Sequence, residues 1–405
     1  MEIYLLGTDF VREQLVEDYE SFIWTERFNT VGDFELVMRS TPANRKRFAI
    51  GTILSHSETF RLMILESVDD TVDEQGKATL TLTGHSIEAI FKSRLARNGL
   101  SDLETDPKWI LTGTPKEIAE GMVYDIVFAG VNDPGDVINL FLETPDWIFP
   151  EDTIPEVLDE VVYEVSPQDL YTALVDLCEV YNMGWRIYRE WEFGAPLTFG
   201  VYMGVDRTSQ QTTVPAVVFS PSLDNMQNTT EFSTAANYKN VAYVVSPVGH
   251  EIVYGTDVDP GISSYQRRVL YVQADDIQDV DPGDATLRMI QRGQEALAKA
   301  RVFSGFDGQL SQNSGYSYGG GPSFNPFNTG AKTYNLGDLV ELQSASGSKS
   351  IMQVTEQIFV IDTQGYRAYP TLTTKSLVVP GAWDASSPIL AWDDVDSGTV
   401  WNAYE

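Results

Sequence analysis

A single cysteine in 405 residues, Cys178, rules out an intramolecular disulfide framework and any zinc site built on several cysteines, and it fits folding in a reducing cytosol. Histidine is nearly as scarce: His56, His85 and His250 stand far apart, and none sits in a spacing that gathers metal ligands. Basic residues number 27 against 59 Asp and Glu, a formal charge of −32, so the chain carries the wrong sign to grip a nucleic-acid backbone. No apolar run approaches the roughly 18 residues that a membrane-spanning helix needs. Residues 1–9 lack the basic start and long apolar stretch of a secretory signal and read as the first strand of a mature protein.

What is present is ordinary for a globular protein: 42% hydrophobic and 21% charged residues. The length allows a sizeable core and about two to four domains. Residues 1–97 form a strand-rich unit, with β-branched or aromatic runs at 19–27, 33–39, 52–55, 60–68 and 78–84 divided by turn signals. In Thr79-Leu80-Thr81-Leu82-Thr83 the period of two is explicit, which predicts a strand with one wet face. A short helix is expected at 86–95, so this unit has the pattern of a small barrel closed by a helix.

Residues 98–165 are an acidic, loop-rich insertion; from Asn98 to Trp185 only Lys108 and Lys116 offset the Asp and Glu, and proline is scattered throughout. Thr114-Pro115-Lys116-Glu117 and Ser166-Pro167-Gln168-Asp169 each place a hydroxyl, a proline and an acid as a helix start prefers. The second start opens residues 166–235, a helix-plus-strands α+β unit. Its helix carries Leu170, Leu174, Leu177, Cys178 and Tyr181 on one stripe and stops near Asn182, with Cys178 as core filler. Strands are expected at 185–190, 197–202 and 216–219.

Residues 236–380 hold a second β unit with strands at 240–246, 269–273, 339–343, 351–361 and 368–372. Within it a helix is expected at 284–301, capped by Asp284, with Leu287, Ile290, Leu297 and Val302 at helical spacing. Residues 304–330 are too rich in Gly, Ser and Tyr to form a core and read as a mobile or partner-ordered loop. Residues 381–405 form an extended tail in which Trp383, Trp392 and Trp401 stand among acids, Ser and Gly, the composition of a partner-docking segment.

Catalytic signatures are absent or broken, and no catalytic, cofactor-binding or metal-binding residue is assigned. Gly84-His85-Ser86-Ile87-Glu88 begins like a nucleophile elbow but ends on Glu where glycine is required. The glycines at 319–321 lack the Lys and Ser/Thr of a phosphate loop, and the Asp clusters at 257–261 and 279–284 lack the pattern of a calcium loop. Carboxylate pairs suited to glycoside hydrolysis carry no information in so acidic a chain.

One stretch, Phe22-Ile23-Trp24-Thr25-Glu26-Arg27 followed by Gly32-Asp33-Phe34-Glu35-Leu36, resembles the opening of a siphophage minor tail protein or tail hub family of actinobacteriophage type. Further matches follow in order: 80–86 through Arg94, the helix at 166–184, Asn237 to Val244, Tyr334-Asn335-Leu336-Gly337-Asp338-Leu339-Val340, and Val354-Thr355-Glu356 through Gly365. The resemblance covers residues 1–375 but not the 304–330 loop or the tryptophan tail.

The resemblance implies a structural virion protein similar to the baseplate hub of contractile-tailed phages. Its fold would be mainly β with α+β insertions: two hub-type, tube-like β-barrels, N- and C-terminal, plus inserted domains. Three copies would present six barrels, adapting a sixfold tube to a threefold tip. The partners implied are the chain itself as a homotrimer, the distal tail protein and tail tube above, a central fibre or spike and other minor tail proteins below, and the tape-measure C-terminus. Genomic DNA would pass through during ejection without tight binding, and an acidic lumen would repel its phosphates. No membrane insertion and no cofactor are expected; the place would be the virion tail tip, assembled in the host cytoplasm. Two other readings compete: a tail-tip receptor- or carbohydrate-binding module, and a tail-associated cell-wall hydrolase.

Overall fold

The computed structural model describes residues 1–100, 108–142, 160–189, 197–255, 258–275, 277, 282–300, 303–310, 315–319, 333–343 and 349–374. Trp383, Trp392 and Trp401 lie outside the described residues.

Alternation in the N-terminal sequence becomes strands with one buried face. Tyr19–Arg27 and Asp33–Arg39 pair antiparallel, and Asp33–Arg39 pairs in turn with Ala78–Ser86. Their inward residues, Phe22, Trp24, Phe34, Leu36, Met38, Leu80 and Leu82, meet in one core with Ile3, Leu5 and Leu54. Met63–Val72, Ile53–His56, Ile3–Leu6 and Arg12–Val16 extend the sheet to one edge. The 3-10 helix Ile87–Ser93 follows, but Ile87 and Phe91 face the inserted module rather than this core.

The two separate barrels give way to one sheet. Lys349–Asp362 pairs on one side with Gly365–Thr374 and on the other with Tyr19–Arg27, so strands from both ends of the chain share a 13-stranded sheet. Among the described residues its ladder does not close on itself. Two cores sit along it: Phe28, Val217, Phe219, Tyr334, Val340, Leu342, Met352, Val354 and Leu372 belong to the second. The two lobes exchange side chains at the junction, since Phe359 of the late strand enters the N-terminal core and Phe28, just past the early strand, enters the C-terminal one. A register shift between Val354 and Glu356 accompanies that switch of sides.

The inserted module packs two helices against a small sheet. Pro115–Val123 starts as expected, with a full capping box in which Thr114 and Glu117 satisfy each other's amides. Leu170–Tyr181 starts later than expected: its cap is Asp169, which accepts from the Thr172 amide at 2.9 Å and the Thr172 hydroxyl at 2.7 Å. Residues 166–168 stay outside the helix, where the Ala96 amide donates to the Gln168 carbonyl and the Leu170 amide to the Arg94 carbonyl. The helix ends where expected, with Asn182 left-handed at φ 56°. Ile118, Met122, Leu174, Leu177 and Cys178 share a core with Trp185, Ile187 and Phe199 of Gly184–Arg189 and Leu197–Tyr202.

A further unit packs the helix Pro282–Lys299 on the strands Gly249–Tyr254, Val241–Ser246 and Val269–Gln273. Asp284 lies in the first turn rather than at the cap. Leu287 is 67% exposed, and the buried row is Ala285, Met289 and Leu297. Gly293 belongs to that row: a Cβ there would sit 2.6 Å from Val253. Small residues let helix and sheet approach, and Ile290 packs at the edge of the same face, so of the expected apolar set within the described residues only Leu287 points away. Of the Gly/Ser/Tyr-rich stretch expected as a loop, residues 311–314 and 320–330 lie outside the described residues, and the rest is partly in strands. Phe303–Leu310 is a strand pairing with Met226–Thr234 and Gly365–Thr374, and Ser317–Tyr318 pairs with Thr333–Tyr334.

Candidate functional site at the junction of the lobes

The strand Tyr19–Arg27 alternates inward at Phe22, Trp24 and Glu26, so its pattern drives a carboxylate into the interior. Glu26 is 0% and Arg61 5% exposed. Glu26 accepts from Trp24 Nε1 at 3.1 Å and from the Tyr318 hydroxyl at 2.8 Å, and lies 3.7 Å from Arg61. Arg61 donates to the Arg27 carbonyl at 3.0 Å and the Tyr202 hydroxyl at 3.1 Å, and lies 3.8 Å from Glu88. Glu88 in turn accepts from the Ile187 amide at 2.9 Å. One guanidinium thus ties the N-terminal lobe, the inserted module and, through Glu26 and Tyr318, the Gly/Ser/Tyr-rich stretch.

Burial raises the Glu26 pKa above the usual carboxylate range, against the pull of Arg61. Burial alone would lower Arg61, but Tyr202, Glu88 and Glu26 outweigh it and hold the guanidinium charged. The cavity beside this cluster, lined by Phe60, Arg186, Tyr188 and Leu336 among others, measures about 20 Å³. That is room for about one water and no substrate. The arrangement braces three parts of the chain.

A second buried pair explains the Leu336-Gly337-Asp338 motif. Arg207 and Asp338, each 1% exposed, meet at 2.6 Å, and Asp338 also accepts from the Val205 and Asn335 amides at 2.8 Å each. Burial raises the Asp338 pKa despite Arg207. Gly337 turns with φ 90°, and a Cβ there would lie 2.3 Å from the Phe28 ring. Where the lobes meet at the surface, Arg27 bonds Glu356 at 2.7 Å and Asp33 at 2.6 Å.

The broken nucleophile elbow is structural. Buried Ser86 accepts from the Gly32 amide at 2.9 Å, while His85 faces outward to Glu66 at 2.5 Å. His56 is buried between Phe22, Trp24 and Phe359, accepts from the Glu58 amide, and is held well below the usual histidine pKa by burial. Burial pushes the Cys178 thiol up, leaving it unreactive. Among the described residues no three His, Cys, Asp or Glu side chains converge as a metal site requires, and no helix is long and apolar enough to cross a membrane.

Sequence reasoning missed Glu26, Arg61, Glu88 and Arg207. Glu26 was detectable as a charge at an inward position of an alternating strand. Arg61, Glu88 and Arg207 carry no comparable signal, because their burial depends on distant elements.

A family model described as Siphovirus ReqiPepy6 Gp37-like protein matches residues 2–372. No curated protein matches the sequence. Among solved structures, the tail protein from Neisseria meningitidis MC58 is similar in fold, with TM-score 0.55 and 12% identity over 92% of this chain and 96% of that one. The 43 kDa tail protein of prophage MuSo2 from Shewanella oneidensis is likewise similar, with TM-score 0.53 and 11% identity over 92% and 97% of the two chains.

Proposed function

Because the chain belongs to the Siphovirus ReqiPepy6 Gp37-like protein family and shares its fold with two tail proteins, we propose that it is a structural protein of the virion, a homotrimeric hub at the distal tip of a long non-contractile tail. The observation that carries this reading is the pairing of Tyr19–Arg27 with Lys349–Asp362, which joins two lobes with separate cores into one body. Three such bodies around an axis present six lobes to a sixfold tube and three repeats to a threefold tip.

In this reading residues 1–97 and 236–380 carry the tube-like lobes, 98–165 and 166–235 are insertions, and 381–405 is an extended arm anchored in an interface by Trp383, Trp392 and Trp401. The neighbours are the distal tail protein and tube on one side, a central fibre or spike and other minor tail proteins on the other, and the tape-measure C-terminus in the lumen. The formal charge of −32 favours passage of DNA over binding it. The hub needs no catalytic residue and no cofactor. Its braces, Arg61 with two carboxylates and Arg207 with Asp338, fit a part that must keep its shape under load.

Light scattering of the purified protein, alone and with its tail neighbours, tests the reading. A particle of three times the 45.1 kDa chain mass, with a central channel in electron images, supports it. A monomer that forms no ring even beside those neighbours overturns it.

One observation favours receptor or carbohydrate binding as a second role. Ile252, Tyr243 and Tyr271 stand in one row across three strands, 46%, 38% and 62% exposed, and form an aromatic face of the kind that sugars stack on. Retention of the protein on host cell-wall polysaccharide, lost in Tyr243→Ala/Tyr271→Ala, would support that role.

A further inference from the structure

We infer that the groove between the strand Ile3–Leu6 and the helix Pro42–Arg47 receives the C-terminal segment, residues 381–405, of a neighbouring copy of this chain. The inference rests on the homotrimer reading and names the partner of the tryptophan arm.

The groove has a volume of about 900 Å³ and is lined by Leu5, Leu6, Ile50, Ile53, Lys46 and Arg47 among others. Ile50 is 72% exposed, an apolar side chain in water at the rim. Within residues 39–47 stand Arg39, Arg45, Lys46 and Arg47 without a single acid, an unusual concentration in a chain of charge −32. Asp70 neutralises Arg45 at 2.5 Å. Arg39 and Lys46 make no ion pair among the described residues, and Glu13 is the only acid lining the groove.

The segment has the complementary chemistry. Residues 381–405 contain Asp384, Asp393, Asp394, Asp396 and Glu405 and no Lys or Arg. Two of its tryptophans are followed directly by acids, Trp383-Asp384 and Trp392-Asp393-Asp394. Leu5 and Leu6 are themselves buried in the cores beneath, and Arg47 donates to the Leu15 carbonyl with Glu17 and Asp18 nearby, so an indole set against exposed Ile50 would put the adjoining carboxylate beside Lys46. Aromatic anchors in apolar pockets with charges at the rim are the usual division of labour in an interface.

The homotrimer reading supplies the neighbour. Gly365–Thr374 is third from the sheet end formed by Met226–Thr234. In a closed head-to-tail ring in which that end of one copy met the Arg12–Val16 edge of the next, the segment would leave its chain beside a neighbour's groove. The stretch from 375 to Trp392 can span up to about 60 Å, enough for its own groove as well, and the paired-cysteine cross-links separate the two.

The test uses the chain truncated after residue 380 and a fluorescein-labelled peptide of residues 381–405. Anisotropy should show saturable binding that weakens with salt. Affinity should fall at least about tenfold for the truncated chain carrying Lys46→Glu/Ile50→Asp, both exposed positions, and for a peptide with all three tryptophans changed to Ala. Co-expression of full chains carrying Ile50→Cys or Trp392→Cys should give an oxidised cross-link between the two different chains. No peptide binding, binding indifferent to those changes, or cross-linking only when both cysteines share one chain overturns the inference. If full-length protein is a trimer by light scattering and these results are negative, the inference alone fails; a persistent monomer removes the hub reading with it.

Discussion

Arg27 and Glu356 are 329 residues apart in sequence, and their side chains meet at 2.7 Å across the strands that join the two lobes. Arg27 also holds the Val31 carbonyl at 2.9 Å and Asp33 at 2.6 Å, so it fixes the turn that leads from one strand to the next. The pair is about 29% and 27% exposed, which limits its strength. A double-mutant cycle of Arg27→Ala and Glu356→Ala read by urea unfolding should give a coupling of about 0.5–1 kcal/mol. A coupling of zero would mean that the ladder alone joins the lobes.

The buried pair should behave differently. Arg207→Leu strands a carboxylate that is 1% exposed and should cost about 3–5 kcal/mol. Adding Asp338→Asn should recover part of that loss, because it removes the stranded charge, although its single amide oxygen can keep only one of the two bonds that Val205 and Asn335 donate to separate carboxylate oxygens. Thermal melts of the single and double variants check this; a double variant less stable than Arg207→Leu alone would contradict it.

His56 gives a pH dependence of definite sign. Its folded pKa is held well below 6.5, so the unfolded chain takes up a proton in acid that the folded chain refuses. Stability is therefore lost as pH falls below 6.5, by up to about 1.4 kcal/mol per pH unit. Glu26 has the opposite sign: its raised folded pKa means that stability falls as pH rises above 4.5. Unfolding free energies of wild type, His56→Gln and Glu26→Gln between pH 5 and 7.5 separate the two. His56→Gln should lose the downward slope toward acid, and a difference from wild type that is flat with pH would show that His56 titrates normally.

Much of this framework was legible in the sequence because alternation is a local property. The strands at Tyr19–Arg27, Asp33–Arg39 and Leu197–Tyr202 fall where their residue patterns place them, and the Thr114 cap and Asn182 stop follow from the chemistry of single residues. What the sequence hid was non-local. Nothing in residues 19–27 announces a partner at 349–362, and two lobes sharing one open ladder look, element by element, like two barrels. At the start of the Gly/Ser/Tyr-rich stretch the local composition gives no strand signal, yet Phe303–Leu310 gains order from pairing with strands on either side. The site residues were harder still, because burial of Arg61 or Arg207 is decided by elements more than a hundred positions away.

Two glycines separate backbone strain from crowding at the centre of the molecule. Gly337 and Gly365 both adopt positive φ, 90° and 100°, but a Cβ at Gly365 meets nothing within 4 Å, whereas one at Gly337 would lie 2.3 Å from Phe28. Gly184 presses on the same edge of that ring, where a Cβ would lie 2.4 Å from it, and it has no positive φ to explain its identity. Phe28 is thus the side chain on which the N-terminal lobe, the inserted module and the C-terminal lobe converge. Gly365→Ala should lose about 1 kcal/mol from backbone strain alone. Gly337→Ala carries that strain plus the displacement of a packed ring and should lose about 2–4 kcal/mol. Gly184→Ala, with crowding and no left-handed strain, should fall between them. Urea midpoints at constant slope rank the three. Equal losses at Gly337 and Gly365 would mean that the ring yields freely, and that Phe28 does not set the spacing of the three parts.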